Sequence, residues 1–168
     1  MLLAIDVGNT QTLFGVFSKS GDLIQHFRIS SDRNKTDDEL GVLIREILHD
    51  RAFDVKTLRE AVIASVVPPL TVIFERVCKR CFGITPLIVG PGVKTGMPIR
   101  CDNPREVGAD RIVNGIAAFE KYQLNDAWTW EHMALSRAHP LCGDASLMKD
   151  AAAVIDAVLV KPRDRGTL

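Results

Sequence analysis

The residues Asp6-Val7-Gly8-Asn9-Thr10 bring together a carboxylate, a glycine, a side-chain amide and a hydroxyl. An acid at the end of a strand can hold a hydrated Mg²⁺ or orient a water. Gly8 lets the backbone turn and approach a phosphate closely. Asn9 tolerates unusual φ, and Thr10 adds a hydroxyl donor. Successive amides in such a turn make an anion-binding concavity. The same residue types also make an ordinary β-turn, so the rest of the chain must decide.

A second group is Gly108-Ala109-Asp110-Arg111. An Asp beside an Arg near a helix start can act as a general base next to an anion clamp. The carboxylate would take a hydroxyl proton as that oxygen attacks phosphorus. The guanidinium would hold a substrate carboxylate through paired hydrogen bonds. The plain alternative is an exposed ion pair on a helix surface, which contributes little.

Cys78-Lys79-Arg80-Cys81 invites a redox or zinc reading. Both cysteines continue an apolar helical stripe with Ile73, Phe74 and Val77, so we read them as small buried hydrophobes. No second Cys or His pair has ligand spacing. Cys101 and Cys142 stand alone, and His26, His49, His132 and His139 form no cluster. No protein metal site is expected beyond Asp6 orienting Mg²⁺.

The elements that must position these groups follow from pattern. Residues 2–5 are a short apolar run ending at Asp6, and Gly8-Asn9-Thr10 is a turn. Residues 12–17 are rich in β-formers, Ser20-Gly21-Asp22 punctuates them, and residues 23–29 alternate. This predicts three antiparallel strands joined by two tight turns. Thr36 and Glu39 have capping-box spacing, with Asp37 and Asp38 adding acid to the first turn. Leu40, Leu43, Ile44, Ile47 and Leu48 then fall on one helical face. Residues 61–67 read as a strand buried on both faces. Pro68-Pro69 stops it and opens a helix striped by Leu70, Ile73, Phe74, Val77, Cys78 and Cys81 and ended by Gly83. Leu87-Ile88-Val89 is a further strand, and residues 90–98 are a Gly/Pro-rich loop. Asn103-Pro104-Arg105-Glu106 is another capping signal, opening a helix that runs to about Tyr122 with a kink or restart at Gly108.

The chain has 168 residues, enough for one domain or slightly more. Its 21 Lys and Arg balance its 21 Asp and Glu, which argues against a broad nucleic-acid footprint but leaves room for a small anion site of backbone amides. No apolar run reaches the ~18–20 residues of a membrane span, and Asp6 follows the first apolar residues with no basic stretch before them. Four cysteines do not make a disulfide framework. These features predict a soluble, cytoplasmic protein with no nucleic-acid or membrane partner.

Taken together, these segments resemble the type III pantothenate kinases, of the actin/hexokinase/Hsp70-like kinase superfamily. The resemblance runs from Met1 to about Tyr122. It rests on Asp6-Val7-Gly8-Asn9-Thr10-Gln11-Thr12 and on Ala64-Ser65-Val66-Val67-Pro68-Pro69-Leu70. Above all it rests on Lys94-Thr95-Gly96-Met97-Pro98-Ile99-Arg100 followed by Asp102-Asn103-Pro104-Arg105-Glu106-Val107-Gly108-Ala109-Asp110-Arg111.

The resemblance implies an α/β, ribonuclease H-like fold: a mixed five-stranded sheet with flanking helices in the N-terminal domain, and a cleft against a second, similar domain. It implies transfer of the ATP γ-phosphate to pantothenate, the first step of coenzyme A synthesis. Asp6, Val7, Gly8, Asn9, Thr10, Gln11, Thr12 and Leu13 would form the ATP phosphate hairpin. Gly108, Ala109, Asp110 and Arg111 would line the pantothenate site, with Asp110 as the catalytic base. Mg²⁺ and K⁺ or NH₄⁺ would be required, and the protein would be a homodimer.

Two departures stand out. Cys101 occupies a substrate-site position where the family usually has an aromatic, so a phenolic donor is lost. Residues 123–168 lack the family's second phosphate motif, adenosine pocket and cation ligand. This predicts a kinase domain over residues 1–122 and a non-matching tail over 123–168, with an amphipathic helix at 144–160. A truncated or frameshifted gene product, inactive alone, would look like this. Other readings are a non-catalytic fragment that dimerises with or regulates a kinase, an accessory transcription factor, and a sugar or acetate kinase of the same superfamily. Neutral charge and the absence of a helix-turn-helix signal weigh against the second. The run from Pro98 to Arg111 weighs against the third.

Overall fold

Two tight turns fold residues 2–30 into an antiparallel meander. The computed structural model describes residues 1–90 together with 108, 109, 112 and 113. Strand β1 (Leu2–Val7) pairs with β2 (Gln11–Phe17), and β2 with β3 (Leu23–Ser30). In the second turn Gly21 takes a φ of 90°, which glycine adopts without a Cβ penalty. The Ser18 hydroxyl accepts the amides of Ser20 and Asp22, each at 3.1 Å, and so closes that turn.

Helix α1 (Asp37–Asp50) starts on the expected capping box. The Glu39 amide donates to Thr36 Oγ1 at 3.3 Å, and the Thr36 amide donates back to Glu39 Oε2 at 2.8 Å. The Thr36 amide and the Thr36 hydroxyl, which donates to the same Oε2 at 2.9 Å, hold the Glu39 carboxyl below the usual glutamate range. Leu40, Ile44 and Leu48 are buried, as the period requires. At the other end Arg51 donates to the His26 carbonyl and lies over the Phe27 ring, tying the helix to β3.

Strand β4 (Glu60–Ser65), helix α2 (Pro68–Phe82) and strand β5 (Leu87–Val89) complete the described chain. β4 lies parallel to β1, and β5 parallel to β4, giving one five-stranded sheet in the order β3-β2-β1-β4-β5. The mixed sheet with flanking helices is the architecture the resemblance implies. β4 is shorter than the apolar run 61–67. Val66 and Val67 turn out of the sheet because the Ser65 hydroxyl accepts the Val67 amide at 3.0 Å and Pro68 opens α2. Conversely β1 outlasts its apolar run, carrying Asp6 and Val7 inside the strand. Gly83, at φ 68°, caps α2 in the left-handed conformation.

Strand alternation assigns the faces. Leu3, Ile5 and Val7 of β1, Phe14 and Val16 of β2, and Ile63 of β4 join Leu40, Ile44, Leu48, Leu70, Phe74 and Val77 in the main core. Phe14 stacks on Phe27 at 4.6 Å and meets Phe74 edge-on at 5.7 Å. Such ring pairs contribute ~0.5–1.5 kcal/mol each beyond the area they bury. The opposite face carries Leu2, Ala4 and Phe17 with Leu23 and Val62, and Asp6 shares it.

The cysteine motif is part of the packing. Cys78 is fully buried, which pushes its thiol up to about 12. Half-buried Cys81 lies against Gly41 of α1: a Cβ there would stand 2.3 Å from its sulfur. The cap at residues 103–106, Cys101, Asp110, Arg111, the tail 123–168 and the helix expected at 144–160 lie outside the described residues.

Candidate functional site

Parallel pairing of β1 with β4 sends both carboxyl ends to one edge of the sheet. That edge is where ligands bind in open α/β sheets. It collects the β1–β2 turn at residues 8–10, the loop 31–36 after β3, and the β4–α2 junction at residues 65–67. The Val66 amide donates to the Val7 carbonyl at 3.1 Å, so the junction is fastened directly to the base of the turn.

The turn itself is closed by its own backbone. The Gly8 amide donates to the Gln11 carbonyl at 3.1 Å. A Cβ on Gly8 would stand 3.0 Å from that same oxygen. Glycine is therefore needed for room rather than for a positive φ. Asn9 does not take an unusual φ either: among the described residues Ala52 is the non-glycine with positive φ. The closed bond engages one amide that the anion-concavity reading had counted.

The expected hairpin residues take distinct positions. Asn9, Thr10 and Gln11 are exposed and Gly8 is half-buried, at the tip. Val7 is fully buried on the helix side, so only its backbone reaches the turn. Thr12 is also fully buried, and its hydroxyl meets the Ser31 hydroxyl at 2.9 Å. Leu13 is half-buried beside Asp6 on the other face. Asp6 is half-buried, with Leu13 of β2 and Ala64 of β4 as its register partners.

Three neighbours were not foreseen from the sequence. The Ser31 amide donates to the Thr10 carbonyl at 2.9 Å, and Ser31 also holds Thr12. Arg33 Nη2 donates to Asn9 Oδ1 at 3.4 Å. Ser65 shapes the junction that abuts Val7. A polar stretch placed directly after a strand, Ser31-Asp32-Arg33-Asn34-Lys35-Thr36, was the available signal. Helix α2 also starts here. Its first two residues are prolines, so its end offers a dipole with fewer N–H donors than most helices.

Gly108 is not helical, whereas Ala109, Ile112 and Val113 are; the helix expected before the glycine lies outside the described residues. The Ile112 amide donates to the Gly108 carbonyl at 3.2 Å, and Ala109 and Ile112 are buried. Asp110 and Arg111, the two side chains on which chemistry was expected, are outside the described residues.

Among the described residues no three of His, Cys, Asp and Glu cluster as a metal cage. Asp6 is the one carboxylate in the β1–β2 hairpin, and a single carboxylate could hold Mg²⁺ only if the ion kept most of its waters. Among the described residues no helix is long and apolar enough to cross a membrane.

Comparison with known proteins bears on the family of the chain. The family profile described as type III pantothenate kinase matches residues 2–128. A second profile, described as glutamate-ammonia ligase adenylyltransferase, matches the short stretch 106–154. The type III pantothenate kinase of Moorella thermoacetica is 53% identical over 122 residues, covering 73% of this chain and 48% of its own length. That of Geobacter sulfurreducens is 51% identical over 125 residues, covering 74% and 49%. The chain thus spans about half the length of the curated relatives it matches. A solved structure provisionally described as an N-acetylglucosamine kinase of Porphyromonas gingivalis is 16% identical, with a TM-score of 0.43 over 97% of this chain and 68% of that one. That likeness is too loose to argue from. The profile match, by contrast, takes in most of the chain, including the whole sheet and the turn at its edge, and by it this chain belongs to the type III pantothenate kinase family.

Proposed function

We propose that this chain supplies the phosphate-binding wall of a kinase that transfers the γ-phosphate of ATP to pantothenate, giving 4'-phosphopantothenate for coenzyme A synthesis. The observation that carries this is the closed turn at residues 8–10, held at the carboxyl edge of the sheet within a family match that spans it. The amides of Asn9 and Thr10 would take phosphate oxygens. Asp6 would hold Mg²⁺ through its waters, and bound Mg²⁺ would neutralise phosphate charge. Residues 11–13 would stiffen the hairpin, with Thr12 locked on Ser31.

Asp110 would accept the proton of the pantothenate hydroxyl, and Arg111 would hold the pantothenate carboxylate. Gly108, Ala109 and Cys101 would line that pocket. K⁺ or NH₄⁺ and a homodimeric, cytoplasmic protein belong to the same reading, with residues 1–122 as the kinase domain and 123–168 as a separate tail. Positioned reactants can account for ~7–11 kcal/mol of barrier lowering. One wall alone would forfeit much of that, so the 168-residue polypeptide should turn over poorly by itself.

The test is coupled ATP turnover with pantothenate and K⁺, using protein from a host without its own pantothenate kinase. A chain joined to the second half of a curated relative should be active, and its Asp110→Asn variant should lose ~10²–10⁴ in rate while staying folded. Full activity in that variant would remove Asp110 from the mechanism.

A further inference from the structure

Strand β3 and its following loop place two arginines beside the hairpin. Arg28 is in register with Leu13, and Leu13 with Asp6. Alternation puts all three on the sheet face away from α1 and α2. Strands lie ~4.8 Å apart, so the Arg28 and Asp6 backbones are about 10 Å apart with Leu13 between them. A polyphosphate lying over Leu13 would come within reach of the Arg28 guanidinium. Arg28 is exposed and forms no hydrogen bond or ion pair among the described residues. Arg33, also exposed, reaches the turn itself through Asn9 Oδ1 at 3.4 Å.

The site needs these charges. One turn amide, that of Gly8, is already engaged by Gln11. Cations near the turn must offset the negative charge of a triphosphate before neutral amides can order it. A charge on an edge strand also discourages strand addition. That accounts for Arg28 in part, but not for Arg33 on the turn.

We infer that Arg28 and Arg33 form a cationic flank that holds the terminal phosphates of a nucleoside triphosphate against the hairpin. The inference rests on the reading of residues 6–13 as a phosphate site. Inorganic tripolyphosphate is the probe, titrated calorimetrically into the 168-residue protein at low and high salt. Arg28→Gln and Arg33→Gln should each weaken binding about tenfold at low salt, the scale of one charge-assisted hydrogen bond. Arg28→Lys should keep most of the affinity, and Arg45→Gln on the exposed side of α1 should change nothing. The differences should shrink as salt screens them.

Unchanged affinity in both glutamine variants, with binding weakened in Gly8→Ala, would overturn the flank and leave the hairpin reading intact. Wild-type protein that is folded by circular dichroism and binds no tripolyphosphate would overturn both. Aggregation of Arg28→Gln, with wild-type affinity in the soluble fraction, would assign Arg28 to edge protection instead.

Discussion

Replacing Gly8 with alanine separates the stability of the turn from its use. The new Cβ would stand 3.0 Å from the Gln11 carbonyl oxygen, a backbone atom that cannot rotate away. Ordinary contact needs ~0.4 Å more. The same oxygen accepts the Gly8 amide at 3.1 Å, so moving it outward stretches that bond towards its limit. A lost bond of this kind costs ~0.5–1.5 kcal/mol. Alanine returns ~0.4–1 kcal/mol by restricting the unfolded chain, because φ at this position is not positive. The net change in stability is therefore small, about 1 kcal/mol or less. Function should respond far more. A displacement of a few tenths of an ångström at the amides of Asn9 and Thr10 should weaken phosphate binding about tenfold, the scale of one charge-assisted hydrogen bond. Urea denaturation read by circular dichroism gives the first quantity, and titration with tripolyphosphate gives the second. Wild-type affinity in Gly8→Ala would refute the assignment of the turn. A loss of several kcal/mol would refute the estimate of how the turn is held.

Thr36→Ala removes the capping box of α1 and should cost ~1 kcal/mol in urea denaturation. Glu39 has a folded-state pKa below its unfolded value, so the support it gives is present above the usual glutamate range and is lost as pH falls through the lowered value. An NMR titration in which Glu39 behaves as an ordinary glutamate would contradict that. Cys78, with its thiol pushed up to about 12 by burial, should react with iodoacetamide more slowly than Cys81 in native protein, read by mass spectrometry. Stoichiometric zinc that is lost in Cys78→Ser would show the pair to be a metal site after all.

What could be read directly from the sequence was local. The box at Thr36 and Glu39, the stripe from Leu70 to Cys78 and the Gly83 stop each depend on residues within a turn or two, and each stands as expected. The β1–β2 hairpin was legible for the same reason. Its strand end was not. Asp6 interrupts the apolar run, yet β1 continues through it because β2 and β4 hydrogen-bond it on both sides. The neighbours of the candidate site are products of pairing between distant residues. Ser65 reaches Val7 only through the parallel β1–β4 register, and Arg28 shares a face with Asp6 only because β2 lies between them. The roles proposed for Asp110 and Arg111 come from the family resemblance, since spacing alone favours a surface ion pair.

The order β3-β2-β1-β4-β5 also carries a history of assembly. The meander of β1, β2 and β3 needs only short loops, and hairpins of this kind close in ~1–10 μs. The partner of β1 on its other side is different: Leu2 must find Glu60 across the meander, α1 and the turns between. Long closures of this sort slow folding because their entropy is lost before the contacts form. The turn at residues 8–10 should therefore be born early, on a two-sided ribbon with one flank of β1 still unpaired. Docking of β4 then completes the edge by bringing the Val66 amide to the Val7 carbonyl. A ligand that needs the finished edge would bind only the last of these species. It would act less as a template for the turn than as a latch on the strand that arrives after it.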